Sequence, residues 1–283
     1  MHIGYVTPNS WGIADPHQVV ALAVRAEQLG AASVWVSHHV LHDGFVGERL
    51  GRKPYHDPLV MLTAMATATT RVRLGTSVLV LPYLHPMPTA KALATIDHLS
   101  GGRLDVGVGA GGLRGEHEAI GRVPFEERGR YTDEFLSVLG LLWAGGPTSF
   151  AGRYFAFDGV EAYPLPARPE GMPVLVGGNG GIAVRRAVRF GSGWHGIGLE
   201  PTGVSALRSR MGDALTEAGR TLGGFAFQMR LHVAVDDLDA GAWRERAAEY
   251  EAAGLDELVL APQSGDVGGH HRWLESVLGA LGR

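Results

Sequence analysis

The chain has 283 residues, 45% of them hydrophobic, with a net charge of −4 at pH 7 and no cysteine. Disulfides, thiolate catalysis and cysteine-ligated metals are therefore excluded, and the mildly acidic balance argues against a nucleic-acid partner. No apolar run reaches the ~18 residues that a membrane span needs.

The opening MHIGYVTP reads as a strand and not as a signal peptide, so a soluble cytoplasmic protein is expected. A strand over 3–7 leads through Trp11 to a helix over 16–29, where Val20, Val24 and Leu29 share one face. The next strand, 33–37, runs into His38 and His39, and the loop from 38 to 57 is long and polar. After a helix over 57–69 comes a strand over 73–81, apolar on both faces, then a helix over 88–99 and a strand over 104–109. Two buried strands joined by a helix-length segment predict a parallel βαβ unit. A helix over 126–143 follows, with Tyr131, Phe135, Val138 and Leu142 at helical spacing. Residues 147–169 break the rhythm: aromatic alternation around Gly152-Arg153 predicts a small hairpin, packed under the barrel or serving an oligomer interface. Strands over 173–177, 193–197, 227–235 and 257–261 then alternate with helices over 182–190, 202–218, 240–253 and 268–281.

Eight strands, each followed by a helix, is the count of a (β/α)8 TIM barrel. The predicted class is α/β, one domain over 1–283, with the hairpin inserted between the fourth helix and the fifth strand. A doubly wound open sheet is the alternative. In either fold a ligand sits at the carboxyl ends of the strands. Those ends carry His38 and His39, Thr76-Ser77-Val78, the glycine run 107–112, and Gly177-Gly178-Asn179-Gly180-Gly181. The last of these precedes a helix whose N-terminal amides can bind phosphate, and glycine removes side chains that would block it; a plain flexible loop is the alternative. Arg185 and Arg186, one turn on, add positive charge. Trp11, Trp194 and His195 stand at strand ends as pocket walls, with core packing the alternative for Trp194.

Three other readings are weaker. His38, His39, His42 and Asp43 invite a metal, but adjacent residues at a strand end point opposite ways, so no metal site is assigned. Residues 107–112 satisfy G-x-G-x-x-G after a strand, but the next strand ends in glycine and not in the acid a dinucleotide fold needs. Glu126, Glu127 and Arg130 read as a structural helix start with i,i+4 pairing.

VWVSHHV (34–40), RVRLGTSVLVLPYLHPMPTAKALATIDHLSGGRLDVGVGAG (71–111), PFEERGRYTDEFL (124–136), FAGRYFAFDGV (150–160) and PVLVGGNGG with GSGWH (173–195) occur in one order and spacing. Together they resemble the luciferase-like flavin and deazaflavin oxidoreductases, in the branch that uses coenzyme F420. The resemblance covers nearly the whole chain. It implies a barrel binding a planar tricyclic cofactor, F420 or alternatively FMN, held by His38, Thr76, Ser77, Val78, Gly109, Gly111, Gly177, Gly178, Asn179, Gly180 and Gly181. It also implies a non-proline cis peptide and a bulge at Ser77–Val78 behind the ring. His39 is implied to face the reactive ring, where an imidazole can give or take a proton. The chain departs from the pattern twice. His38 stands where relatives often carry a carboxylate. Gly112 stands where some carry an acid, with Glu116 and His117 a few residues on. The expected reaction is hydride transfer between reduced deazaflavin and a small organic substrate with an activated C=C, C=N or carbonyl group. The alternatives are an FMN-dependent monooxygenase using O2, and a non-enzymatic cofactor-storage barrel. A homodimer with no nucleic-acid or membrane partner is expected.

Overall fold

The structure, a computed structural model, describes residues 1–281. Eight parallel strands form a ring: His2–Val6, Ser33–Val36, Arg73–Thr76, Leu104–Gly109, Val174–Gly177, Gly193–Ile197, Ala226–Val233 and Glu257–Pro262. Each pairs with the next, and the first pairs with the last through His2↔Glu257 and its neighbours. Pairing of the third with the fourth through Leu74↔Leu104 completes the closure, so the open-sheet alternative is set aside.

The long strand expected over 73–81 is interrupted. It pairs at Arg73–Thr76 and again at Leu79–Val80, and the Ser77–Val78 peptide between them is cis. Leu74 lies opposite Leu104, but Leu79 lies opposite Val108. The third strand thus runs one residue longer than its partner over this stretch, which is a bulge.

The helices begin where the sequence offers a cap. Asp15 accepts from the His17 amide ahead of Pro16–Gln28, and Asp57 accepts from the Leu59 and Val60 amides ahead of Pro58–Ala68. In each the first helical residue is proline, whose missing N–H has no partner to lose there. Gly101, with φ of 70°, ends Pro86–Ser100 in the left-handed conformation glycine favours. The core lies between these helices and the barrel wall. Inside the barrel, Trp35 is fully buried with its ring against Gly75, where any side chain would collide with it.

Two features differ from the sequence reading. The loop at 38–57 contains a helix, Gly44–Leu50, and a second short helix, Arg114–Ile120, follows the fourth strand. The predicted hairpin forms from Thr148–Ala151 and Ala156–Val160. It is fixed on the outer helix Arg128–Ala144: Glu134 accepts from the amides of Arg153 and Tyr154, and Phe155 packs on Tyr131 and Phe135. Glu127 bonds Arg153 and Tyr154 of the same hairpin, and Glu126 pairs with Arg114. The acidic pair is structural, as expected, but through long-range partners and not i,i+4 ones.

Candidate active site

A cavity of about 270 Å³ opens at the carboxyl end of the barrel. Its wall includes Ser37, His38 and His39 after the second strand, Ser77, Val78 and Val80 at the bulge, and Gly111 and Gly112 after the fourth. Arg230 and His232 of the seventh strand close the far side.

The bulge explains several glycines. Val78 is turned against the fourth and fifth strands, and a Cβ on Gly109 would lie 2.8 Å from its Cγ2, one on Gly177 3.0 Å from its Cγ1. These two glycines make room for Val78 and do not line the cavity. Thr76 is also buried away from it, its hydroxyl donating to the Gly107 carbonyl at 2.6 Å.

The strand containing Ser33–Val36 has ended before His38 and His39, so the alternation of a strand no longer holds and both rings line the same cavity. His38 accepts from the Val80 amide at Nδ1, 3.0 Å, which leaves the proton of the neutral ring on Nε2. Burial pulls its pKa down to about 4, so it is a neutral donor at physiological pH. His39 bonds through Nδ1 to Glu116 Oε2 at 2.7 Å. Glu116 is fully buried and also accepts from the Val40 and Leu41 amides and the Tyr83 hydroxyl. Burial raises the Glu116 pKa, but the His39 bond and the two amides outweigh it and hold it at about 2. An ionised carboxylate on Nδ1 orients the ring and makes Nε2 the nitrogen free to exchange a proton. The sequence marks Glu116 only as an acid a few residues beyond Gly112; its pairing with His39, 77 residues away, is not legible there, and the short helix Arg114–Ile120 is what delivers it.

The surrounding loop is a built wall. Asn9 accepts from the Ser37 amide and donates to the Ser37 and His56 carbonyls. His42 bonds the Lys53 carbonyl at 2.7 Å and His56 the Ile13 carbonyl at 2.7 Å. Among the described residues no group of three or more His, Asp or Glu is placed to hold a metal. Neither Asn9 nor these two histidines carries a motif that would mark it as an organiser.

Other expected residues fall elsewhere. His195 lies inside the barrel beneath the cavity, bonded to the Ser77 hydroxyl at 2.8 Å and stacked on Trp35; burial holds its pKa down at about 3. Trp194 is core, packed near Phe227, and its indole N–H donates to the Gly178 carbonyl at 2.8 Å, supporting the glycine loop from below. Trp11 stands beside the mouth, covered by the Arg49 guanidinium at 4.3 Å. Gly178, Asn179 and Gly180 lead into the helix Gly181–Phe190. No atom lies within 4 Å of where a Gly180 Cβ would be, so its backbone faces open space. Asn179 bonds both backbone groups of Ile197, which lines the cavity, so this loop adjoins the main site. Arg186 is committed to Asp133 and the Gly129 carbonyl and adds nothing to an anion site.

The profile of the luciferase-like monooxygenases matches residues 1–276. An F420-dependent glucose-6-phosphate dehydrogenase of Amycolatopsis mediterranei is 35% identical over 194 residues, covering 65% of this chain and 55% of that protein. The 4-hydroxyprotoasukamycin monooxygenase of Streptomyces nodosus subsp. asukaensis is 30% identical over 247 residues, 82% of this chain and 64% of that protein. The matches thus span between about half and two thirds of these relatives. Among solved structures, an F420-dependent secondary alcohol dehydrogenase in complex with an F420-acetone adduct superposes with a TM-score of 0.80 at 21% identity, covering 99% of this chain and 98% of that one. A closed parallel barrel with a bulged third strand, and a family profile that matches nearly the whole chain, lead to one conclusion: the chain belongs to the luciferase-like monooxygenase family.

Proposed function

We propose that this chain is an F420-dependent oxidoreductase that moves hydride between the deazaflavin and a small organic substrate with an activated C=C, C=N or carbonyl group. The observation that carries the reading is one cavity with the Ser77–Val78 bulge on one wall and the His38 and His39 rings on another. The F420-dependent relatives named above support the choice of cofactor. The fit rests on this chain's own surfaces: Gly112 and Gly180 face open space that a side chain would fill. Ser77, Val78, Gly111 and His38 would hold the ring, and the amides from Gly178 to Gly181 the phosphate.

When bound, F420 supplies a two-electron carbon centre that gives or accepts hydride. The protein's part is positioning and proton transfer. For a carbonyl substrate reduced at carbon, the oxygen must gain a proton; His39 would give it from Nε2 as the imidazolium, a form that the ionised Glu116 on Nδ1 stabilises, and would be left as the neutral Nδ1–H ring. The His38 Nε2–H would be available to donate to an acceptor atom of the bound ring, where a carboxylate could only accept.

The FMN-dependent monooxygenase is kept as a second reading because one relative covering 82% of the chain is a monooxygenase. Absorbance titration of the purified protein with F420 and with FMN separates them. Saturable F420 binding without oxygen consumption is expected; a protein that carries yellow FMN, or consumes oxygen with reduced FMN, belongs to the second reading. The expected homodimer and cytoplasmic location belong to the same proposal, and light scattering on the eluted protein tests the first.

A further inference from the structure

The cationic side of the cavity is unexplained by hydride transfer alone. Its lining includes Arg49, Arg230 and His232 but no aspartate or glutamate. Other part-buried arginines are satisfied in one of two ways: Arg73 bridges Asp105 and Glu257 and Arg186 bridges Asp133, while Arg103 and Arg220 spend their guanidinium donors on several backbone carbonyls. Arg230 has no carboxylate partner among the described residues. Its Nη1 donates to the Ser37 hydroxyl at 2.9 Å and the Ser77 carbonyl at 3.2 Å, and its buried Nε–H donates to nothing. Among the described residues Arg49 donates a hydrogen bond only to the Ser10 carbonyl, at 3.0 Å, while its guanidinium lies on the Trp11 ring. The buried Tyr55 hydroxyl sits beside Ser37 and Arg230, and makes no well-formed hydrogen bond among the described residues beyond its approach to Ser37. Glu116, the carboxylate behind His39, is spent on that ring and two amides.

A desolvated cation with free donors is costly unless an anion completes it, and a guanidinium matches planar or tetrahedral oxyanions best. Two such cations line this cavity, and Arg49 makes the Arg230 charge less favourable. Burial, together with Arg49, brings the Arg230 pKa down to about 10, and burial with both arginines brings His232 to about 4. The arginines stay charged at neutral pH, so the site keeps an uncompensated positive field.

We propose that Arg230 and Arg49, with the Tyr55 hydroxyl, form an oxyanion subsite, and that the substrate is a small organic anion whose carboxylate, sulfonate or phosphate is held there. The word substrate rests on the function proposed above; the subsite does not. The Arg230 bond to the Ser77 carbonyl places the anion next to the bulge. The reacting carbon of a small acid held by this arginine therefore lies close to where the ring is expected, and His39 completes the mouth.

The test is an equilibrium titration of the purified protein, with and without F420, using propionate, methanesulfonate and inorganic phosphate, with propanamide as the neutral isostere. Propionate is expected to bind at least tenfold more tightly than propanamide, and the tightest of the three anions in the Gly180→Asp protein, whose helix N-terminus is blocked, identifies the headgroup. Arg230→Met and Arg49→Met should each weaken the anion at least tenfold and leave F420 affinity nearly unchanged. Gly180→Asp should do the reverse, because it blocks the helix N-terminus and not the arginines. Arg49→Met keeps the test decisive if Arg230→Met does not fold. Equal affinity for propionate and propanamide overturns the subsite, as does wild-type anion binding in both arginine variants. Loss of F420 binding with retained anion binding in Arg230→Met reassigns that arginine to the cofactor. A wild-type protein that binds propionate but not F420 leaves the subsite standing and removes the cofactor reading instead.

Discussion

His39 and Glu116 act as a unit. The carboxylate fixes one nitrogen, so the other is presented to the cavity in one tautomer. His39→Ala is expected to lower turnover by about 10²-fold or more while changing cofactor affinity little. Glu116→Gln should lower kcat by a smaller factor, with KM nearly unchanged, because the ring remains but is no longer held or charge-stabilised. Steady-state kinetics on both variants, with a separate F420 titration, checks this; wild-type turnover in His39→Ala would assign the proton to water or to the substrate. His38→Ala is no silent control, since its ring lines the same cavity, and its expected effect is on cofactor affinity. Beneath the site, Gly75 is fixed by contact: a methyl there would enter the space of the Trp35 ring. Gly75→Ala should cost about 1–3 kcal/mol or more in a chemical denaturation curve.

Elements deliver these residues, and two of them can be tested separately. The start of the helix Gly181–Phe190 is the proposed phosphate site. Gly178 has a φ of 106°, so a side chain there would strain the backbone as well as add charge. Gly180 is the cleaner position, with φ of −88° and open space in front of it. Gly180→Asp should weaken F420 binding at least tenfold by like-charge repulsion, with an unchanged melting temperature; unaltered affinity would move the phosphate elsewhere. The hairpin depends on Glu134, which accepts two of its amides at 2.8 and 2.9 Å. Glu134→Ala should cost about 1–3 kcal/mol locally, as charge-accepting hydrogen bonds are lost. Hydrogen exchange at Arg153 and Tyr154 is the direct measurement, and unchanged protection there would show that aromatic packing on Tyr131 and Phe135 is sufficient.

At the scale of the whole molecule, several histidines are folded in as neutral rings. Burial holds His38 at about 4, His195 at about 3 and His232 at about 4, all below the ordinary value near 6.5. Between those values the unfolded chain binds more protons than the folded one, so stability falls as pH drops from about 6.5 toward 4. Glu116 extends the decline below about 4.5, because its folded pKa of about 2 is also depressed. Denaturation midpoints across this range should fall steadily, and His195→Gln should flatten the part between 6.5 and 4; an unaltered slope would show that this ring does not set it. The eight β/α units were legible in the chain because hydrophobic periodicity is local and each strand and helix can be read from residues a few positions apart; their count favoured a barrel over an open sheet, and the pairing of the first strand with the last decided it. The hairpin around Gly152 was legible in the same local way. The bulge and cis bond at Ser77–Val78 and the role of His39 came from resemblance, since an apolar strand looks the same whether or not it breaks, whereas the glycine run at 177–181 and Trp11, Trp194 and His195 were marked by their places at strand ends. Only the folded chain brought Glu116 to His39, turned His38 and His39 into one cavity, placed Trp194 under Gly178, and left Arg230 without a carboxylate. Each of these depends on a partner 16 to 193 residues away. Local sequence sets the elements, but contact between distant segments decides which charges are satisfied and which are left for a ligand.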